Sequence, residues 1–295
     1  MTIERTFVEA QSFVRPVSPV AQERITDAER QRAVAAVRTG RLFDLGTELA
    51  HDMPMGPADN FGGFRLTPFK TPECLVKREN PPPFDISVEV VQGCQHLGTH
   101  IDALAHVAVH GRHFGNVSVL DAYGDFGWKH NGIESVVPIF TRGLLLDIPR
   151  ALGVDRLPDR YEVVTTDLEL ALEMSGETVR SGDAVLVRTG KMLDYVPNGS
   201  YFDAGPGVGV EAGIWLYDRG MAVLGTDTSA SEPFPFRDEE HTLHRALLFE
   251  RGVNLVEIMN LEELARSGVT SFLFVCSPLR LRGGTGSWVR PIAVA

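Results

Sequence analysis

The chain has 295 residues, 43% of them hydrophobic and 23% charged, a composition typical of globular proteins that bury a sizeable core. Its formal net charge of −11 argues against binding to nucleic acid, whose phosphates demand a basic surface, and against an anionic membrane. Because the sequence shows neither a signal-peptide pattern nor a membrane-spanning run, and its three cysteines lie far apart, we expect a cytoplasmic protein with reduced thiols.

The first predicted element is an amphipathic helix in an N-terminal extension, residues 1–41. Thr26-Asp27-Ala28-Glu29 forms a capping box, the helical pattern continues through Val37, and Gly40 suits the end of the helix. The apolar stripe that contains Ala33, Val34 and Val37 must be buried on the domain or on a neighbouring subunit. We expect a homodimer or homotetramer.

A long segment rich in glycine, proline and phenylalanine then runs to Pro83, and we expect it to be irregular. Long segments of this kind are often functional loops. Phe61, Phe64 and Phe84 are therefore candidates for an apolar lid over a substrate, with a purely structural role as the alternative.

The remaining pattern favours one α/β domain, residues 42–295, built on a mixed β-sheet. Strands are predicted at 84–93, 144–148, 184–188, 221–224, 253–256 and 272–275. Helices are predicted at 166–174, with Thr166 as its cap, and at 211–217 and 242–251. Because strands outnumber helices and do not alternate steadily with them, a doubly wound sheet is disfavoured.

Five of the nine histidines lie between His96 and His113, which indicates a metal site. Imidazole and carboxylate are ligands that suit zinc, manganese and similar divalent ions. His96, His100, Asp102 and His106 all occupy even positions, and alternate residues of an extended chain share one face. On a helix, Asp102 and His106 would point roughly 120° away from the other two. The spacing therefore predicts an extended or looped segment; two core histidines beside a solvated aspartate are the alternative.

The same segment resembles the signature His-x-Gly-Thr-His-x-Asp-x-x-x-His of the metal-dependent cyclase family, which includes kynurenine formamidases, isatin hydrolases and trans-dienelactone hydrolases. Further segments resemble the family in the expected order, at 44–46, 53–55, 143–147, 182–190, 225–228 and 244–248. The resemblance covers about residues 42–294. It implies the swivelling β/β/α fold of this family.

The metal ligands divide into two groups. His96, His100 and Asp102 would supply the first set, and Asp102 can bridge two metals about 3.5–4 Å apart. The resemblance implies that His244 and Glu257 bind a second ion. His241 is the rival of His244, because a residue three positions earlier faces the same side of a helix. We expect one or two ions per chain, manganese or zinc.

Two residues near the ligands have other expected roles. In the family, the histidine equivalent to His106 acts as general base or acid; a fourth metal ligand is the alternative. Thr99 is expected to orient the ligands through its hydroxyl.

The expected activity is hydrolysis of an amide, imide or lactone bond in a small, cyclic or aromatic substrate, by a water that the metal activates. The alternatives are a metal-dependent lyase or dehydratase, and a non-catalytic metal-binding or ligand-binding relative. One departure from kynurenine formamidases leaves the substrate open, because Leu104 replaces a common proline. A second departure concerns the position of the second metal, because the interval from His244 to Glu257 is one residue longer.

Overall fold

A computed structural model describes residues 20–56 and 62–295. The strands are β1 Leu42–Asp44, β2 Phe64–Lys70, β3 Val88–Gly93, β4 His100–Asp102, β5 Arg112–His113, β6 Val117–Ser118, β7 Tyr123–Gly124, β8 Gly127–Trp128, β9 Ile139–Asp147, β10 Glu162–Val163, β11 Ala184–Arg188, β12 Gly207–Val208, β13 Val223–Thr226, β14 Asn254–Glu257, β15 Ser271–Cys276, β16 Gly286–Trp288 and β17 Ile292–Val294. The helices are α1 Asp27–Ala35, α2 Val119–Ala122, α3 Ile148–Leu152, α4 Thr165–Ser175, α5 Val210–Asp218 and α6 Glu262–Ser267, with a π-helical turn at Arg245–Phe249.

A mixed nine-stranded sheet organises the chain, in the order β1-β17-β15-β9-β11-β13-β14-β4-β16. Strands β9, β11, β13 and β14 run parallel to one another, and the flanking strands on both sides pair antiparallel. Every residue of β11 is buried, as expected for a parallel strand covered on both faces. The predicted mixed sheet is thus confirmed.

Alternating side chains of the sheet pack into two separate hydrophobic cores, one on each face. Leu145 and Leu186 pack on one face with Phe272 and residues of α6. Their neighbours in sequence, such as Val185, pack on the other face with α4, α5 and the π-helical turn. The second face is the one that positions the functional site.

Most predicted elements are present, and their bounds show where local patterns mislead. Strand β11 has the predicted limits, whereas β9 begins earlier, at Ile139. Thr166 is not the cap of α4, because the helix already begins at Thr165. The backbone N–H of Val164 instead donates to the Asp167 carboxylate at 3.0 Å, so an acidic residue in the first turn satisfies the helix start.

The segment before Pro83 is not irregular throughout, because β2 lies within it and pairs antiparallel with β3. We call these two strands the β2–β3 arm. All residues of β2 except Phe64 are exposed, and so are most of those in β3. Without a buried face, the strand has no apolar alternation that could reveal it in the sequence. Residues 84–87, predicted as strand, lie outside β3.

The N-terminal helix packs on the sheet, against β9 and β15. Thr26 caps it, as predicted, and Ala33 is fully buried, while Val34 is 55% exposed. The helix ends at Ala35, short of Val37. Among the described residues, none of the helices is both long and apolar enough to cross a membrane.

Candidate metal centre

Strand pairing between β4 and β14 builds the centre of the site. His100 lies directly opposite Glu257 in the antiparallel register, so their side chains share a face of the sheet. Asp102, two residues further along β4, points to the same face. The His100 Nε2 atom lies 3.5 Å from Asp102 Oδ1 and 3.5 Å from Glu257 Oε2. Ile101, between the two ligand candidates, packs into the core on the opposite face.

The chain bends on both sides of β4 to bring in two more histidines. Gly98 has a φ of +64°, and a Cβ atom there would lie 2.4 Å from the Leu49 side chain, so the bend requires glycine. The bend places His96 Nδ1 2.9 Å from Asp102 Oδ1. The rings of His96 and His106 stack with centroids 4.1 Å apart, and His106 is exposed at the open side of the cluster. We call His96, His100, Asp102 and His106 the proximal set.

His244 reaches the same point from the helical segment that precedes β14. Its Nε2 atom lies 3.6 Å from Asp102 Oδ2 and 3.6 Å from Glu257 Oε1. The side chain of His241 is instead 79% exposed and pairs with Asp238 at 2.8 Å. The structure therefore brings His244, not its rival, to the cluster.

The π-helical turn Arg245–Phe249 lies directly after His244. A π-turn contains one more residue than an α-turn, and such turns occur often at functional sites. The longer interval between His244 and Glu257, noted in the sequence, includes this turn. The two side chains still meet.

Three histidines of the cluster, His96, His100 and His244, each have the ring nitrogen that points away from the cluster bonded to a neighbouring group. His100 Nδ1 lies 2.9 Å from the carbonyl oxygen of Gly98, and His96 Nε2 lies 3.0 Å from the Thr285 hydroxyl. His244 Nδ1 lies 2.6 Å from Glu232 Oε1. Glu232 is buried, and the sequence analysis missed it. We call Glu232, His244 and Glu257 the distal set.

Thr99 acts on the backbone and not on a ligand side chain. Its hydroxyl donates to the carbonyl oxygen of Ile258 at 2.6 Å and accepts the N–H of Thr47 at 2.8 Å. Because Ile258 follows Glu257, this bond ties the histidine segment to the end of β14.

The cluster contains four buried polar atoms that make no well-aligned hydrogen bond: both Asp102 oxygens, Glu257 Oε1 and His96 Nδ1, which faces Asp102 Oδ1 at 2.9 Å. Leaving such atoms unpaired is costly, and a cation between them would satisfy all four. The potential ligand atoms form two groups, and within each group they lie within 4.8 Å of one another. The groups are His96-Asp102-His106 and His100-Asp102-Glu257. They share Asp102. The nitrogen and oxygen donors fit one or two divalent ions such as zinc or manganese.

This grouping differs from the predicted sets in two respects. His100 lies with Glu257, because the two are paired across β4 and β14. His106 lies with His96, because their rings stack. Asp102 belongs to both groups, so they share one carboxylate.

The protonation of the cluster shows how strongly burial acts on it. Burial lowers the pKa of His100 to about 4, although Asp102 opposes the shift. Burial raises the pKa of Glu257 well above its usual range, and the nearby Asp102 adds to this effect. For His244, burial would lower the pKa, but Asp102 and Glu232 outweigh it and hold the pKa well above the usual value. Protons thus gather at His244 and Glu257, where a cation would replace them.

The pKa of His106 lies below its ordinary value, even though the ring is open to solvent. Desolvation among the other groups lowers it, against the raising effect of Asp102. His96, His244 and His100 lower it further. His106 is therefore a neutral imidazole at neutral pH.

Two of the three candidate lid residues, Phe64 and Phe84, do not contact the rings of the histidine cluster. Phe61 lies outside the described residues. Phe64 is 7% exposed and packs edge-on against Trp288, with ring centroids 5.8 Å apart. Phe84 is 79% exposed. Within the described part of the chain, no ring contact links Phe64 or Phe84 to the cluster.

Several solved structures of other proteins have a similar fold. A crystal structure described as a novel cyclase is 27% identical to the chain over 94% of both chains, with a TM-score of 0.85. Isatin hydrolase A from Labrenzia aggregata, bound to benzyl benzoate, is 20% identical over 88% of this chain and 94% of its own, with a TM-score of 0.64. A potential metal-dependent hydrolase with cyclase activity is 18% identical over 86% of this chain and 98% of its own, with a TM-score of 0.54.

The last two similarities show a shared fold, and the first confirms the fold expected from the sequence. A search among curated proteins finds no match. Residues 43–233 match the model of the Cyclase family, described as "Putative cyclase". The chain belongs to the cyclase family.

Proposed function

We propose that this protein is a metal-dependent hydrolase that cleaves an amide, imide or lactone bond in a small cyclic or aromatic molecule. The observation that carries the proposal is the buried group around Asp102, whose unpaired oxygen and nitrogen atoms converge as ligands do. Several structures with this fold are described as isatin hydrolases or metal-dependent hydrolases, which supports the same reaction class.

One or two divalent ions, manganese or zinc, would be held by the proximal and distal sets. The proposed ligands are His96, His100, Asp102, His244 and Glu257. When bound, such an ion supplies Lewis acidity, which lowers the pKa of water and polarises a carbonyl group.

His106 is the proposed general base and acid. Its imidazole is neutral at neutral pH and lies at the open side of the cluster, where a substrate can approach. It can therefore accept a proton from the attacking water and pass it to the leaving nitrogen or oxygen of the substrate. The stacking contact with His96 holds the ring in place.

The proposed substrate is neutral or mildly anionic. A net charge of −11 provides no broad positive field that would attract a phosphorylated or polyanionic molecule. The bonds named above share a carbonyl carbon that an activated water can attack.

We also propose that the chain works in the cytoplasm as a homodimer or homotetramer. The β2–β3 arm supports a subunit contact, because Phe69, Val90 and Val91 on it are between 51% and 78% exposed. Sedimentation equilibrium at micromolar concentration tests this, and a mass of 32.4 kDa, that of one chain, would contradict it.

Metal analysis combined with a substrate panel tests the proposed activity. The purified protein is loaded with manganese or zinc and assayed against N-formyl amines, isatins, cyclic imides and lactones. We expect turnover of at least one class, and its loss after chelation. Turnover without any metal, or metal binding with elimination products only, would overturn the assignment to hydrolysis.

A further inference from the structure

Glu232 is a buried carboxylate that contacts the proposed ligand His244 on the side of its ring that faces away from Asp102 and Glu257. Its side chain is 5% exposed, and its Oε1 atom lies 2.6 Å from Nδ1 of His244. The backbone N–H of Leu243 donates to the other oxygen, and that of His244 approaches Oε1 at 3.4 Å.

We infer that Glu232 is a positioning residue: it keeps a proton on Nδ1 of His244 and leaves Nε2 free to bind a divalent cation shared with Asp102 and Glu257. This inference rests on the proposed metal-dependent function. An ionised carboxylate can only accept hydrogen bonds, so the nitrogen that faces it must be the donor. The opposite nitrogen of a neutral imidazole then carries the lone pair that binds metal.

The partner of His244 differs in kind from those of the other two histidines. His100 is held by a backbone carbonyl and His96 by a hydroxyl, both uncharged. A hydroxyl can donate as well as accept, so Thr285 does not decide which nitrogen of His96 is protonated. A carboxylate does decide this for His244, and it also makes the imidazole a stronger ligand.

The fold holds the Glu232 backbone tightly. A Cβ atom on Gly207 would lie 2.2 to 2.5 Å from the carbonyl carbon, Cα and oxygen of Glu232, so only glycine permits this contact. The N–H of Val208 donates to the carbonyl of Ser231 at 2.7 Å. Ser231 has a φ of +55°, a left-handed conformation that is unfavourable for a residue other than glycine. These contacts fix the backbone from which the Glu232 side chain reaches His244.

A simpler role is that Glu232 only caps the helical segment that begins at Leu243. The Leu243 N–H would be enough for that role, and the ring contact would be incidental. The two roles differ in what they do to metal affinity, because a cap acts on the whole segment and a positioning residue acts through one ring nitrogen.

Zinc titration of the metal-free full-length protein against a chromophoric chelator separates these roles. The variants are Glu232→Gln, His244→Ala and the double variant. We expect Glu232→Gln to weaken one zinc-binding event by about 10–100-fold and to leave the other within about twofold. In the His244→Ala background, Glu232→Gln should then have no further effect on zinc affinity.

Long-range proton–nitrogen NMR of the zinc-loaded wild type provides a readout that a cap would not move. We expect the imidazole proton of His244 to be on Nδ1. Its proton resonance should lie downfield in the wild type and move upfield in Glu232→Gln. The wild-type spectrum alone tests the inference if the variant does not fold, because a proton found on Nε2 would overturn it.

The outcomes also separate this inference from the proposed function. A wild-type protein that binds no zinc overturns the proposed function and this inference with it. If the wild type binds zinc and Glu232→Gln changes neither event, only the role of Glu232 is overturned. Equal weakening of both events, or a further loss in the His244→Ala background, likewise overturns it in favour of a cap.

Discussion

The proximal and distal sets reach the same point by different routes. The four proximal residues lie within eleven positions of one another, on one strand and its two flanking bends. The three distal residues come from separate elements: the turn after β13, the helical segment before β14, and the end of β14 itself. Local geometry builds the first set, whereas only long-range packing builds the second.

This difference has a chemical counterpart. The outer ring nitrogens of His96 and His100 contact groups without charge, whereas the outer ring nitrogen of His244 contacts a carboxylate. Asp102 faces both sets, with His96 near Oδ1 and His244 near Oδ2. Glu257 likewise lies near His100 through Oε2 and near His244 through Oε1. Substitutions can therefore remove both sets together, or either one alone.

Asp102→Ala should have the largest effect, because it removes the carboxylate that the two ligand groups share. We expect loss of all bound metal and of all turnover, measured by elemental analysis and by activity on the best panel substrate. Asp125→Ala, at an exposed position with the same change in charge, is the control. An Asp102→Ala variant with full metal content would show that the two sets are independent.

His244→Ala should affect the distal set alone. We expect one ion to be lost while the ion near His96 remains, since the nearest contact of His96 is with Asp102. Elemental analysis of the two-ion form gives the stoichiometry. His241→Ala is the matched control, because that ring is exposed. Equal loss in both variants would contradict the assignment.

His106→Ala should leave the metal content unchanged and lower turnover by about 10²–10⁴-fold, as expected for a general acid–base group. His130→Ala, an exposed histidine, serves as control. The measurement is kcat together with metal content on the same sample. If metal and activity fall together, His106 is a ligand of the proximal set, as its position beside His96 and Asp102 would allow.

Asp227→Asn should have the smallest effect, and that effect should be on the pH dependence of stability. Asp227 follows β13 in the segment that leads to Glu232. Asp227 accepts hydrogen bonds from Thr189 and Gly190. Burial raises its pKa from 3.8 to about 6, against the lowering effect of those bonds. A raised carboxyl pKa means that the folded state takes up the proton first. Its contribution to stability is therefore complete below about pH 4 and is lost as the pH rises through about 6.

Urea unfolding of the metal-free protein between pH 4 and 7 measures this contribution. The difference in unfolding free energy between wild type and Asp227→Asn should fall by about 3 kcal/mol as the pH rises across that range. Parallel stability curves for the two proteins would contradict it.

The contrast between the sets also explains how much the sequence could predict. The proximal set lies within one short segment, and strand geometry accounts for the shared face of His100 and Asp102. His96 and His106 join them through the bends on either side of the strand, one of which depends on Gly98. The mixed sheet could be predicted because its central strands are continuous apolar runs. In contrast, the exposed β2 carries no pattern, and Phe64 looks the same in sequence whether it forms a lid or a core.

Glu232 could not be found in this way. It lies in a proline-rich stretch with no spacing relation to His244, and its role depends on the close approach of Gly207. The longer interval between His244 and Glu257 leaves the distal pairing ambiguous in the sequence. It includes a π-turn, whereas the sequence pattern there predicts only a helix.

The pairing of His100 with Glu257 restricts how this protein can change length. Deleting or adding a single residue in β4 would turn each of its side chains to the opposite face, so Ile101 would occupy the ligand position and the carboxylate of Asp102 would enter the apolar core. Changes that keep the protein functional must therefore preserve the odd–even phase of this strand. Length variation among relatives should accordingly be absent from β4 and concentrated in turns and helical segments.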